Sequence, residues 1–190
     1  DNLIHNRTEP ASSPKQPKLY QRIFPMYLIQ QIQYLQQQIA QLYQQGRFKE
    51  AIPLANQLCD IVRQNAGEND PNYAACLNNL AGLHNGLSNY AAAEPLLKQA
   101  LEIKRRTLGE NHSEYATGLN NLAELYRKVA NYAAAEPLYK QAIEIWGKTL
   151  RKNHPHYAQG LNNLALLYDA MGKRAAAQEL YQQTLEIQGR

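Results

Sequence analysis

The sequence contains a five-residue segment that recurs at a fixed spacing. Leu-Asn-Asn-Leu-Ala begins at Leu77, again at Leu119 and again at Leu161. The spacing, 119 − 77 and 161 − 119, is 42 residues both times. A period of roughly 20–50 residues is typical of arrays in which one supersecondary unit stacks on the next. The sequence therefore predicts a repeat protein whose core is built between neighbouring units.

Several other positions carry the same residue type at this spacing. Each unit reads as an amphipathic helix, a short turn and a second amphipathic helix with alanine near its start. A methyl group at that alanine lets the two helices approach closely. No segment shows the alternation of a β-strand, so we predict an all-α solenoid of about eight helices in four helix-turn-helix pairs. The repeated positions include Leu35, Leu77, Leu119 and Leu161, then Ala51, Ala93, Ala135 and Ala177, then Ile61, Ile103, Ile145 and Ile187.

Prolines and capping residues predict where the units begin. Asp70-Pro71 has the N-cap acid and first-turn proline of a helix start, and Pro25 is interpreted as a first-turn proline as well. Residues 1–24 are rich in proline and serine and are predicted to be a flexible arm. The alternative is that this arm folds back onto the array as an extended peptide. The predicted repeats cover residues 25–69, 70–111, 112–153 and 154–190.

Composition narrows the possible functions. The net charge of +4 and pI near 9.0 are too weakly basic to indicate a nucleic-acid partner. No apolar run approaches the ~20 residues of a membrane span, and no secretory signal opens the chain. Cys59 and Cys76 lack zinc-site spacing and are interpreted as buried free thiols in a reducing compartment. We expect a cytoplasmic protein without a nucleic-acid or membrane partner.

The reactive residue types do not form an evident catalytic set. The sequence has no phosphate-binding loop and no nucleophile–base pair on a strand-turn-helix scaffold. His112, His154 and His156 lie between repeats, where a role at helix starts is favoured over a metal site. We therefore expect no enzymatic activity, no cofactor and no metal. Lys104 and its neighbours are predicted on a solvated convex face, and Trp146 is predicted to pack between helices.

The repeated positions resemble the tetratricopeptide repeat. The resemblance implies a right-handed superhelix in which the first helix of each pair, helix A, lines a concave groove and the second, helix B, lies on the convex side. Members of that family have a small residue within helix A, an aromatic residue after the turn and alanine early in helix B. The matching helix-A residues are Ala81, Ala123 and Ala165, and the matching aromatic residues are Phe48, Tyr90 and Tyr132.

The repeat length narrows this resemblance. Leu-Asn-Asn-Leu-Ala, Ala-Glu-Pro-Leu and the loop that begins at Gly109 resemble the 42-residue repeats of kinesin light chains and of related bacterial proteins. The first repeat departs from the pattern at Gln36-Gln37-Gln38, and the last departs at Arg174. Terminal repeats are often atypical because each has only one neighbour. The resemblance implies a protein-interaction module that binds an extended or partly helical peptide in its groove.

Paired asparagines occupy the middle of helix A in three successive repeats. Asparagine in a helix costs several tenths of a kcal/mol relative to alanine, so another interaction must offset this cost. The amides can bond to the next repeat and keep the register, or they can bind the main chain of a peptide. One residue of each pair can serve each purpose, because neighbours lie about 100° apart around a helix. The resemblance puts the second residue in the groove, which predicts a ligand role for Asn79, Asn121 and Asn163, with Gln37 as the first-repeat equivalent.

Helical spacing extends the predicted groove to Asn85, Glu124, Arg127 and Lys128. Arg127 and Lys128 are candidates for binding an acidic side chain or a C-terminal carboxylate, and the alternative is a solvated helix end. Because Glu124 offsets their charge, a preference for acidic peptides stays open and an RNA-binding groove is disfavoured.

A second functional hypothesis concerns the end of the array. Leu180, Leu185 and Ile187 are apolar, and no capping helix follows them in the sequence. Apolar residues at an array end favour end-to-end stacking. The chain is then a structural spacer or a self-association platform within a larger signalling protein, with a homodimer formed by end stacking.

Overall fold

The described residues form a continuous series of paired helices. A computed structural model of the protein describes residues 18–150 and 152–189. Within these ranges there are eight α-helices and no strand. They are α1 (Lys18–Gln44), α2 (Phe48–Ala66), α3 (Pro71–Gly86), α4 (Tyr90–Leu108), α5 (Ser113–Lys128), α6 (Tyr132–Thr149), α7 (Pro155–Ala170) and α8 (Arg174–Gln188).

Each helix packs on its neighbours in the chain. The helix pairs are α1–α2, α3–α4, α5–α6 and α7–α8, and helix B of each pair also packs on helix A of the next. The contact between the two helices of a pair is made through alanine. Ala51, Ala93, Ala135 and Ala177 are each 0% exposed, so no larger side chain fits there without displacing a helix. The predicted all-α solenoid of four helix pairs is confirmed.

Each helix A ends in the same left-handed turn. φ is +70° at Gly46 and +74° at Gly172, and the equivalent Ser88 and Ala130 adopt +55° and +58°. The next residue donates its N–H to the carbonyl five positions before it, as in a Schellman motif. A residue other than glycine loses roughly 1–2 kcal/mol in this conformation. At Ser88 and Ala130 the packing of the helix pair therefore imposes a turn that the residue itself disfavours.

Helix starts are capped as the sequence predicts. The Asp70 side chain accepts a hydrogen bond from the Asn72 N–H at 2.7 Å. His112 and His154 use Nδ1 in the same way and accept from the N–H two residues later, each at 3.1 Å. Their predicted role at helix starts is confirmed.

The N-terminal helix begins earlier than predicted. α1 starts at Lys18, so residues 18–24 are helical and Pro25 lies inside the helix instead of in its first turn. Proline removes one backbone hydrogen bond from a helix but does not always end it. This chain also accommodates Pro53, Pro95 and Pro137 inside helices. Residues 1–17 lie outside the described residues, so whether they form a flexible arm or fold back onto the array stays a prediction. The boundary between arm and array stays a prediction as well.

Two helix-B residues, one in α4 and one in α6, contact the start of α5. Lys104 is 6% exposed, and its Nζ lies 2.9 Å from Glu114 Oε2, so its predicted place on a solvated face is wrong. The ion pair with the next helix allows the ammonium group to be buried. Trp146 is 1% exposed and donates its Nε1–H to the Ser113 carbonyl at 3.2 Å. The predicted packing of Trp146 between helices is confirmed.

Two findings bear on metal and membrane binding. Among the described residues, no group of three or more His, Cys, Asp or Glu side chains is placed to hold a metal ion. None of the helices in the described ranges has an apolar stretch long enough to span a membrane.

Candidate functional site

Amide side chains join helix A of one repeat to helix A of the next. Asn121 Nδ2 donates to Asn78 Oδ1 at 2.8 Å, and Asn163 Nδ2 donates to Asn120 Oδ1 at 3.0 Å. The second asparagine of each repeat thus reaches the first asparagine of the preceding repeat. Asn120 is 5% exposed, so the bond from Asn163 satisfies a buried acceptor. The structure thus gives Asn121 and Asn163 a register-keeping bond, and their ligand role stays a prediction.

The junction between the first two repeats lacks such a bond. The matching residues are Asn79 and Gln36, and no hydrogen bond joins them in the part of the chain that the structure describes. A cavity of about 550 Å³ opens there between α1 and α3. Asn79 is exposed and lines this cavity, as does Gln36. Gln37, the residue predicted from the repeat pattern, is exposed but does not line it.

The cavity combines a buried apolar interior with amides at its opening. Its deepest residues are at most 5% exposed and come from α2 and α3. None of its lining residues is charged. Such a site can accept an uncharged apolar side chain while the amides bond to a main chain. Among the lining residues, the buried ones are Ala55, Leu58, Cys76 and Leu83, the half-buried ones are Ile39, Asn78 and Gly82, and the exposed ones are Gln36, Ala40, Tyr43, Gln44 and Asn79.

Asn85, another predicted groove residue, lies in the last turn of α3 and away from this cavity. Its Oδ1 is buried and has no hydrogen-bond partner among the described residues. In the third repeat the position equivalent to Asn85 is Arg127, and the hydroxyl group of Tyr139 lies close to it. In the second repeat the position equivalent to Tyr139 is Leu97, which has no hydroxyl group, so no donor reaches Asn85 from there.

The predicted charged residues of the third repeat contact one another. Arg127 donates Nε–H to Glu124 Oε2 at 2.9 Å and Nη2–H to Glu124 Oε1 at 2.7 Å. The hydroxyl of Tyr139, a residue that is 0% exposed, donates to Glu124 Oε2 at 2.7 Å. Lys128 Nζ is 4.0 Å from Glu124 Oε1. The charge of Arg127 is therefore balanced within its own helix, and Lys128 has the more exposed side chain of the two cations.

This cluster predicts a loss of stability in acid. Burial acts to raise the pKa of Glu124, but the hydrogen bonds from Arg127 and Tyr139 outweigh it and hold that pKa below its ordinary value of 4.5. The stabilisation is therefore present above pH 4.5 and is lost as the pH falls through the lowered pKa. The free energy of unfolding in urea can be measured for the natural protein and for Glu124→Gln at neutral pH and at a pH below 4.5. We expect acid to lower it less in Glu124→Gln than in the natural protein. Parallel pH profiles for the two proteins would contradict this assignment.

The amide bonds predict different costs for equivalent asparagines. Asn163→Ala leaves the buried Oδ1 of Asn120 without its donor, which typically costs about 1–3 kcal/mol. Asn79→Ala breaks no bond between repeats and gains the same helix propensity, so it is the matched control. We expect a lower urea midpoint for Asn163→Ala than for Asn79→Ala. Equal midpoints would show that the amide bond contributes nothing measurable to stacking.

Sequence reasoning placed Asn79 and Gly82 on the groove surface but did not identify the apolar residues that line the cavity. Ile39, Tyr43 and Gln44 of α1 follow the helix face of an atypical first repeat, where the repeat pattern is weakest. One sequence signal was available, because the position of Gly82 and Ala40 carries small residues only in the first two repeats. The same position is Glu124 in the third repeat and Leu166 in the fourth.

Comparison with known proteins identifies the repeat type. The sequence model described as the tetratricopeptide repeat matches residues 31–106, 73–148 and 114–189, which together span most of the chain. No curated protein matches the chain. The resemblance to tetratricopeptide repeats of the kinesin light chain type is confirmed by this match and by the solved structures.

Three solved structures illustrate the likeness. BtubC (BKLC) from P. vanneervenii has a TM-score of 0.72 and 24% identity over 80% of this chain, which spans 60% of that BtubC chain. Repeats of a putative kinesin light chain from Podosopora anserina have a TM-score of 0.63 and 25% identity over 90% of each chain. The apo form of RapI has a TM-score of 0.71 and 19% identity over 84% of this chain and 56% of its own. The likenesses to BtubC and RapI concern the fold alone.

Proposed function

Because this chain belongs to the tetratricopeptide repeat family, whose arrays are in general protein-interaction scaffolds, we propose that it binds an extended peptide segment of a partner protein along its helix-A face. The cavity between α1 and α3 anchors one large apolar side chain of that peptide. The amides of Asn79 and Gln36 bond to the main chain on either side of the anchor.

The cavity at the first junction is the observation that carries this proposal. Its volume of about 550 Å³ lies within the range of roughly 300–1,000 Å³ that is usual for ligand pockets. The uncharged lining favours an aliphatic or aromatic side chain over a charged one, because a buried charge without a partner is strongly disfavoured. Burial of one such side chain contributes roughly 1.5–3 kcal/mol. This contribution corresponds to a change in affinity of about tenfold or more.

Gly82→Leu is the variant that tests the proposal. A Cβ added at Gly82 meets no atom within 4 Å, so the leucine side chain enters the cavity and not the protein core. Leucine is accepted by the fold here, because Leu166 occupies the equivalent position in the last repeat. Peptides selected from a displayed random library on the natural protein should bind Gly82→Leu about tenfold or more weakly, as measured by fluorescence polarisation.

The control is a stability measurement on the same variant. Replacing a helical glycine by leucine should leave the melting temperature unchanged or raise it. Asn79→Ala should weaken the same peptides without loss of helicity. Undiminished binding by Gly82→Leu, or selected peptides that share no apolar side chain, would refute the cavity as the anchor site.

The charged residues of the third repeat add a preference to this proposal. Lys128 binds an acidic residue of the same peptide. Arg127 can bind the same residue once its ion pair with Glu124 has rearranged. Lys128→Glu is the sharper test, because Arg127→Glu also removes the two hydrogen bonds to Glu124. Both variants should weaken an acidic peptide, and Lys128→Glu should do so with the smaller loss of stability.

The outer face of the last repeat favours a second candidate function, self-association. Leu185 is 68% exposed, although its equivalents one and two repeats earlier, Ile143 and Leu101, pack against the next helix A. An open depression of about 830 Å³ beside it is lined by Asn162, Tyr181 and Thr184, among others. Light scattering that shows a concentration-dependent dimer, abolished by Leu185→Lys and unaffected by Gly82→Leu, would support this platform role over peptide binding.

A further inference from the structure

A repeated contact joins helix B of one repeat to helix A of the next. A Cβ placed on Gly118 would lie 2.8 Å from Leu101 Cδ1, and one on Gly160 would lie 2.9 Å from Ile143 Cγ1. The glycines thus form sockets for the apolar side chains of the preceding repeat. In the first junction the equivalent positions, 42 residues earlier than Leu101 and Gly118, are Cys59 and Cys76.

The spacing of these positions matches that of a disulfide. The Cβ built on Gly118 lies 3.8 Å from Leu101 Cβ. Disulfide-bonded cysteines have Cβ atoms about 3.5–4.5 Å apart. By the repeat equivalence, Cys59 and Cys76 have a similar spacing. Both are free thiols within one core cluster, at 6% and 8% exposure.

The surroundings give one of these thiols a route to small reagents. Cys76 lines the cavity between α1 and α3, which is open to solvent, whereas Cys59 does not. The hydrogen bond between the two thiols lowers the pKa of Cys76 and, together with burial, raises the pKa of Cys59. Cys76 is therefore the more accessible thiol of the pair and the one that a small disulfide reaches first.

We propose that Cys59 and Cys76 are a thiol–disulfide site that forms a reversible covalent link between the first and second repeats by exchange with a small disulfide such as glutathione disulfide. The Cys76 thiolate attacks one sulfur of glutathione disulfide, which forms a mixed disulfide and releases one glutathione thiolate. Cys59 then loses its proton, and its thiolate attacks Cys76 Sγ and releases the second glutathione.

The exchange balances and has a defined structural effect. Two protein thiols are oxidised to one disulfide, one glutathione disulfide is reduced to two thiols, and the two protons from the cysteines pass to the released thiolates. The new bond links α2 to α3 beside the cavity. It closes a short loop in the unfolded chain and should therefore stabilise the first junction.

The test uses the whole chain, incubated under native conditions with glutathione disulfide. Intact mass should fall by two hydrogens, peptide mapping should show one internal Cys59–Cys76 disulfide, and the melting temperature should rise by several degrees and return after treatment with dithiothreitol. The matched control is Cys59→Leu/Cys76→Gly, which copies Leu101 and Gly118 of the second junction and keeps the packing. Its melting temperature should not respond to oxidant.

A transplanted pair tests the route of access. Leu101→Cys/Gly118→Cys, made in the thiol-free background, has the same spacing but lines neither cavity, so glutathione disulfide should oxidise it more slowly than Cys59 and Cys76. A stable glutathione adduct on Cys76 alone, a disulfide between two molecules, or oxidation that occurs only after unfolding would each overturn the proposal.

Discussion

Trp146→Lys is expected to lower the free energy of unfolding by about 3–5 kcal/mol, the range typical both of a large aromatic residue removed from a core and of a buried charge without a partner. Trp146 is 1% exposed and stacks on His156, with ring centroids 5.6 Å apart. The equivalent residue one repeat earlier is Lys104, which is buried because Glu114 neutralises it. A lysine at position 146 would face His156, which stands where the earlier repeat has Glu114.

The second substitution His156→Glu should recover part of this loss. It recreates at the later junction the ion pair that the structure shows between Lys104 and Glu114. Recovery should be incomplete because lysine does not fill the volume of the indole ring. Urea unfolding followed by circular dichroism, applied to both single variants and the double variant, gives the coupling energy. A coupling energy near zero would show that the two positions do not interact across the junction.

Gly160→Val is expected to destabilise the third junction by about 1–3 kcal/mol or more, the range typical of overpacking. A Cβ at this position would lie 2.9 Å from both Ile143 Cγ1 and Trp146 Cζ3. Ile143 can change rotamer, but the ring of Trp146 is fully enclosed and has no space into which to move. Helix α7 would therefore have to shift away from α6, with loss of packing along the whole junction.

Gly118→Val and Gly82→Ala are the matched controls for this variant. At Gly118 only the flexible end of Leu101 would lie closer than 3.8 Å, so its substitution should cost less than that of Gly160. Gly82 meets nothing and should be neutral or stabilising when replaced by alanine. Thermal unfolding should rank the melting temperatures as Gly82→Ala, then Gly118→Val, then Gly160→Val. A similar melting temperature for all three would mean that the close approach at Gly160 is not maintained in solution.

The paired asparagines show how much of the candidate site could be predicted from the sequence. The pairs at Asn78-Asn79 and Asn120-Asn121 pointed to both stacking bonds and groove contacts, and helical geometry placed the two residues on different faces. It did not indicate that Asn121 bonds to Asn78, because an amide contact between repeats depends on the distance between two helices A. At the first junction the residue opposite Asn79 is Gln36, no hydrogen bond joins the two among the described residues, and both line a cavity.

The sequence by itself determined the all-α solenoid, its period, the alanine contacts within pairs and the capped helix starts, because these follow from residue spacing along one chain. Tertiary structure alone decided the burial of Lys104, the ion-pair cluster around Glu124 and the cavity at the first junction. Each of these depends on how closely two packed helices approach. That distance is set by the combined shape of side chains on both helices, which a one-dimensional pattern does not contain.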